Sequence, residues 1–176
     1  MAEILKIAEI GNPVLRSPAK PVSDIHDPTL QKLIDDLIST TLESNGVGIA
    51  APQVSKDLQL FIVASRPNLR YLHAPKMDPT PMINPQILYY SEETATGWEG
   101  CLSVPGMRGL VTRSKEIEIL YTDRYGRQHQ QVFTDFVARI IQHEYDHITG
   151  KVFLDRVEST LDLMSEAEYH ARIVCG

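Results

Sequence analysis

The chain has 176 residues, 43% hydrophobic and 23% charged, a balance that suits one soluble domain with a sizeable core, expected to span residues 1–176. A net charge of -6 with no lysine- or arginine-rich run excludes the footprint of a nucleic-acid site and gives no reason to expect attachment to an anionic membrane. Two cysteines, Cys101 and Cys175, are too few for a disulfide framework, so a reducing cytoplasm is expected, where a thiol is free to act as ligand or nucleophile.

Residues 1–10 lack the basic and then apolar pattern of a signal peptide, and no apolar run approaches the length of a membrane span. Residues 1–26 mix short apolar stretches with Pro13, Pro18 and Pro21 and read as an extended arm laid on the domain. Asp27-Pro28 reads as an N-cap with proline at the first helical position. Leu30, Leu33, Ile34, Leu37, Ile38, Thr41 and Leu42 then recur at helical spacing, and Asn45-Gly46 stops the helix. Residues 46–53 (Gly-Val-Gly-Ile-Ala-Ala-Pro-Gln) form a small-residue run that lets another backbone approach, and it lacks the spacing of a phosphate loop.

Leu58 to Ala64 reads as a buried strand, residues 66–81 as a long proline-containing loop, and Met82 to Tyr90 as a second strand. Ile117, Ile119 and Tyr121 alternate with Glu116, Glu118 and Leu120, and a turn at residues 123–126 leads into Arg127 to Phe133, an antiparallel hairpin. Thr134 or Asp135 caps the last main helix, whose Phe136, Val137, Ile140, Ile141, Tyr145 and Ile148 keep helical spacing up to a stop at Gly150. Glu166 to Tyr169 reads as a short surface helix. Strands outnumber helices and are joined mostly without crossovers, so the fold class is α+β.

The last main helix carries His143-Glu144-Tyr145-Asp146-His147, an H-E-x-x-H pattern. Histidines four apart share one helix face and reach one metal ion, with Glu144 placed to act on a water there. A catalytic site needs a third protein ligand. A third histidine six residues on is excluded because Phe153 stands there. Glu166 or Glu168 is one source; Cys101, in an irregular strand-to-loop setting before Ser-Val-Pro-Gly, is another, and its thiolate would favour Fe(II) or Zn over Mg or Ca.

Three stretches together, Gly46 to Gln53, Glu99-Gly100-Cys101-Leu102-Ser103 and His143 to His147, resemble the signature motifs of the peptide deformylase family, in the family's order. Residues 10–22, with Pro13, Leu15-Arg16 and Pro21-Val22, resemble its N-terminal arm. The resemblance implies antiparallel β-sheets packed around a central C-terminal H-E-x-x-H helix, with the amphipathic helix towards the N terminus. It implies removal of the formyl group from the N-terminal formyl-methionine of nascent polypeptides. It implies Cys101, His143 and His147 as metal ligands, for ferrous iron in the cell, with zinc, nickel or cobalt as replacements. Glu144 matches the general base, and Gln53 with the backbone N–H of Leu102 matches the oxyanion donors. Gly46, Val47, Gly48, Gly100, Arg108, Phe136 and Ile140 fall at positions near the substrate, with Leu102 as a further pocket wall, and Glu99 is expected to pair with Arg113. The ribosome is an implied contact, although the tail after Gly150 is short for docking through a long C-terminal helix. Trp98, Arg139 and the long 66–81 loop depart from the commonest bacterial form.

Overall fold

The computed structural model describes residues 1–176. Helix α1 runs Pro28–Glu43, with the Asp27 carboxylate accepting from the Thr29 N–H at its start and Asn45 in the left-handed region just past its end. Leu30, Leu33, Ile34 and Leu37 are buried as their spacing predicts. Leu42, in the last turn of the helix, is exposed.

Strands β1 (Gly48–Ala50), β2 (Leu60–Val63), β3 (Thr80–Tyr90), β6 (Glu116–Thr122) and β7 (Gln128–Thr134) form one antiparallel sheet in the order β1-β2-β3-β6-β7. A second antiparallel sheet holds β4 (Thr94–Cys101), β5 (Val104–Ser114) and β8 (Leu163–Ser165), in the order β4-β5-β8. Helix α2 spans Asp135–Ile148, and the short α3 spans Glu166–Tyr169.

The apolar run of β2 is buried on both faces, and successive side chains point opposite ways along a strand. Phe61 and Val63 join Ile140, Ile141 and Ile148 of α2, whereas Leu60 and Ile62 join Leu33, Ile34 and Leu37 of α1. The five-stranded sheet is therefore clamped between the two helices, which explains why β2 shows no polar alternation. In β6 only Ile117, Ile119 and Tyr121 are buried, as the alternating sequence predicts. No helix is long and apolar enough to cross a membrane.

The strand-to-loop setting read for Cys101 is here the tip of a hairpin, with a register irregularity between Glu99 and Cys101. Residues 94–114 form a long hairpin whose connection is only Leu102-Ser103, so Cys101 is the last residue of β4 and pairs with Val104. The Gly-Met-Arg-Gly stretch has no strand-like alternation; pairing with β4 on one side and β8 on the other makes it a strand.

The arm at 1–26 crosses the back of the site. The Ala8 N–H donates to Gln53 O and the Ile10 N–H to Ser103 O, so the arm pins two of the loops that carry motif residues. After α2, Gly150 adopts φ +80, and a Cβ there would lie 2.7 Å from Arg16 O. Only glycine meets both demands. Gly150→Ala is expected to lower stability by about 2 kcal/mol or more, read as a reduced urea midpoint. An unchanged midpoint would show that the arm yields without cost.

Candidate metal centre

Three elements deliver the site. In α2, His143 and His147 are one turn apart, and both are buried. In β4, Glu99 and Cys101 are two residues apart and so share a strand face, the one turned to α2. The single turn of 3-10 helix after β1, Ala51–Val54, delivers Gln53.

One donor atom each from Cys101, His143 and His147 lies within 4.8 Å of the others. Cys101 Sγ is 3.3 Å from His147 Nε2. Burial opposes ionisation of the Cys101 thiol, but His147 and His143 outweigh it and hold the thiol well below its ordinary range. The thiolate is the form that ligates.

His143 is oriented by Glu99, whose Oε1 lies 2.8 Å from His143 Nδ1. Glu99 also accepts from Arg113 Nε and Nη2, each at 2.9 Å, and from Arg139 Nη1 at 2.8 Å. Burial disfavours its charge, yet His143 and Arg113 hold the carboxyl far below the usual carboxylate range. A carboxylate only accepts, so His143 Nδ1 donates and Nε2 is left as the ligand atom. Arg113 in turn donates from Nη1 to Asp146 Oδ2 at 2.7 Å, and Asp146 takes two further bonds from Arg156. The pair expected between Glu99 and Arg113 is thus part of a wider chain of charges across the back of α2.

Glu144 follows His143 on the helix and faces the same cavity, against Gly48. A Cβ on Gly48 would sit 2.6 Å from Glu144 Oε1, so the second glycine of the small-residue run makes room for this carboxylate. Burial raises its pKa to about 7, against the pull of His143 and His147. Its Oε2 and the Nδ1 of His147 are buried without a hydrogen-bond partner. Gln53 is fixed by the Ala50 N–H, which donates to Oε1 at 2.9 Å. That anchor turns Nε2 to the site, 3.4 Å from Cys101 Sγ and 3.1 Å from Ser103 Oγ.

Thiolate, two imidazoles and an orphaned carboxylate oxygen suit a borderline divalent transition metal, with three protein ligands as catalytic sites have, and not Mg or Ca. The residues present therefore fit a metal. Glu166 does not: it pairs with Arg108, which removes it as a third ligand. Cys175 is exposed, with its Sγ 3.6 Å from His170 Nδ1, and neither joins the cluster.

A cavity of about 40 Å³ opens on this centre. Gly46, Val47, Gly48, Gly100, Leu102, Phe136 and Ile140 line it. Arg108 does not reach it and is not a solvated charge: it is 1% exposed, between the rings of Tyr71 and Tyr169. Sequence reasoning missed Arg70 and Tyr71, which the 66–81 loop brings to the cavity wall. No periodicity marks them. Arg139, noted only as a departure, reaches across to Ala95 O, Val111 O and Glu99.

Residues 4–162 match the family model described as Polypeptide deformylase. The chain is 61% identical over 167 residues to peptide deformylase 2 of Nostoc sp., covering 95% of this chain and 93% of that protein. It is similar to the crystal structure of a class I type b peptide deformylase from Acinetobacter baumannii with Met-Ala-Ser bound: TM-score 0.87 and 45% identity, over 89% of this chain and 100% of that one. The deformylase structure from Thermotoga maritima gives a TM-score of 0.80 at 35% identity, over 89% of this chain and 99% of that one.

Arg113 neutralises two buried acids at once. Arg113→Leu leaves Glu99 and Asp146 short of a cation and is expected to cost about 3–5 kcal/mol, measured by urea unfolding. A loss under about 1 kcal/mol would mean that the acids take up protons or water without penalty.

Proposed function

The chain belongs to the polypeptide deformylase family, and we propose that residues 1–176 act as one catalytic domain whose chemistry is centred on α2 and both sheets around it. The protein is a hydrolase that removes the formyl group from the N terminus of newly made polypeptides, releasing formate. The observation that carries the residue assignment is the convergence of Cys101, His143 and His147 beside the buried, unpartnered oxygen of Glu144.

Cys101, His143 and His147 would hold the metal, with ferrous iron in the cell and zinc, nickel or cobalt as replacements. Bound there, the ion supplies Lewis acidity that polarises the formyl carbonyl and lowers the pKa of the attacking water. Glu144 takes the proton from that water as its oxygen bonds to the formyl carbon. It then hands the proton to the amine nitrogen as the C–N bond breaks. A bound divalent ion would favour the ionised form of Glu144, the form a base needs.

Gln53 Nε2 and the Leu102 N–H donate to the carbonyl oxygen as negative charge builds on it. The Ala50 N–H holds Gln53 by its Oε1, and an Nε2 N–H that now faces Cys101 or Ser103 turns to the carbonyl oxygen. Val47, Leu102, Phe136 and Ile140 wall the methionine side chain, and Gly46, Gly48 and Gly100 leave room for the substrate backbone. A formylated terminus carries no charged amine, so an apolar pocket and backbone hydrogen bonds suffice to bind it. The work belongs in the cytoplasm, where nascent chains leave the ribosome; Arg108, buried between Tyr71 and Tyr169, braces the tail through Glu166.

Glu144→Gln keeps the size of the side chain and removes the base. It is expected to retain fold and metal content while formate release from formyl-Met-Ala-Ser falls by about 10²–10⁴-fold. Turnover close to that of the unaltered protein would remove Glu144 from the mechanism.

A further inference from the structure

Strand β7 ends the five-stranded sheet and pairs with β6 alone. Its seven residues, Gln-His-Gln-Gln-Val-Phe-Thr, include no lysine, arginine, acid, proline or glycine, and its register with β6 runs without a bulge. Charges, prolines and bulges are what usually guard a sheet edge, and β7 has none of them. The other edges are short or reached by neighbouring elements. Strands β1 and β8 have three residues each, and Arg139 and Tyr169 contact β4 at the Ala95 carbonyl and the Trp98 ring. Gln128, Gln130, Gln131, Val132 and Thr134 are exposed, so no other part of the chain covers the β7 edge.

The backbone of β7 faces outward in alternation. The Asp123 N–H donates to Arg127 O and the Asp135 N–H to Lys115 O, so the odd-numbered residues of this segment bond to β6. Gln128, Gln130 and Val132 therefore turn both N–H and C=O to the open edge. Charge is polarised along the same edge. At its start Arg127 is 72% exposed, and its ion pair with Asp123 is loose at 3.9 Å. At its end Asp135 shares a surface hollow with Glu92, Glu93 and Glu116, where Lys115 is the one cation.

We propose that β7 is the contact surface for a second copy of this chain, paired antiparallel across a twofold axis at Gln131 into one continuous sheet. The inference does not depend on the deformylase reading. In this register Gln130 exchanges both backbone bonds with Val132 of the second copy, and Gln131 faces its own equivalent in a non-hydrogen-bonded pair. A second copy fits the edge because antiparallel pairing lays the basic start of each strand against the acidic end of the other, with Arg127 opposite Asp135 on both sides of the axis. Parallel pairing would set Arg127 beside Arg127 and acid beside acid, which is repulsive. Tyr89, Glu118 and Val132 form one cross-strand row, and its exposed Val132 gains cover next to the axis. The twofold contact is closed: each β7 uses up the other, and no free β7 edge remains to extend a fibre.

The test is sedimentation velocity on the metal-loaded full chain over a range of concentrations. The unaltered protein is expected to approach the mass of two chains as concentration rises, and added salt is expected to shift it back towards one. Val132→Lys sets two like charges beside the axis, and Arg127→Glu sets an acid against Asp135. Each is expected to raise the dissociation constant by about tenfold or more. Both side chains are exposed, so the variants are expected to fold. Cross-linking checks the register independently. In a Cys175→Ser background, Gln131→Cys is expected to join two chains under oxidised glutathione, because the Cα atoms of a non-hydrogen-bonded pair lie about 4.5 Å apart, within disulfide reach. Gln128→Cys, far from its equivalent across the axis, is expected to cross-link little. A single-chain mass at every concentration, a dimer that both charge variants leave intact, or equal cross-linking from the two cysteines would overturn the β7 dimer.

Discussion

A single buried carboxylate, that of Glu99, ties the site to the fold. It accepts from Arg113 twice, from Arg139 once and from His143 once, drawing β5 and both ends of the active segment of α2 onto β4. A buried carboxylate with so many donors stays ionised, and its worth lies less in stability than in fixing one arrangement. The tautomer of His143 follows from it, and so does the placing of Cys101 two residues along the same strand face. Asp146 plays a matching part on the rear of α2, where Arg113 and Arg156 hold it. The helix thus presents ligands forward while ion pairs lock its back to the hairpin.

The small-residue run after α1 acquires its meaning from Glu144. Any side chain at Gly48 would collide with that carboxylate, so the run is cut to the shape of the catalytic base as well as to that of the substrate. Gln53 completes the same logic: its carbonyl end is tied to the backbone of Ala50, which leaves only its amide end to face the metal ligands. The N-terminal arm then bonds to the Gln53 and Ser103 carbonyls, so even residues 8–10 help to hold the two loops in register.

The parts legible in the sequence were those specified by near neighbours. The cap and proline at residues 27–28, the spacing of α1, the alternation of β6 and the two histidines one turn apart are local patterns, and each stands where its spacing placed it. What depends on distant partners was not legible. Val104 to Gly109 is a strand because β4 and β8 flank it, not because its residues alternate. Arg108 is buried because Tyr71 and Tyr169, far apart in the chain, close over it, and nothing in its immediate surroundings announces that. Arg70 and Tyr71 come from a loop without periodicity. Leu42 fits the helical stripe but is exposed in the last turn of α1, so the spacing overstated the buried face. By residue spacing alone the third ligand stayed open between Cys101 and the glutamates of the tail; the family resemblance pointed to Cys101, and the geometry brings Cys101 to the histidines and Glu166 to Arg108.

The account stands or falls on metal-assisted hydrolysis at the three-ligand centre. The most direct measurement titrates ferrous iron, anaerobically, into metal-stripped protein while following formate release from formyl-Met-Ala-Ser. Activity is expected to rise in proportion to added metal, to stop at one equivalent per chain, and to be absent on the same peptide without its formyl group. Formate release without any metal, or cleavage of the Met-Ala bond in place of the formyl amide, would contradict it.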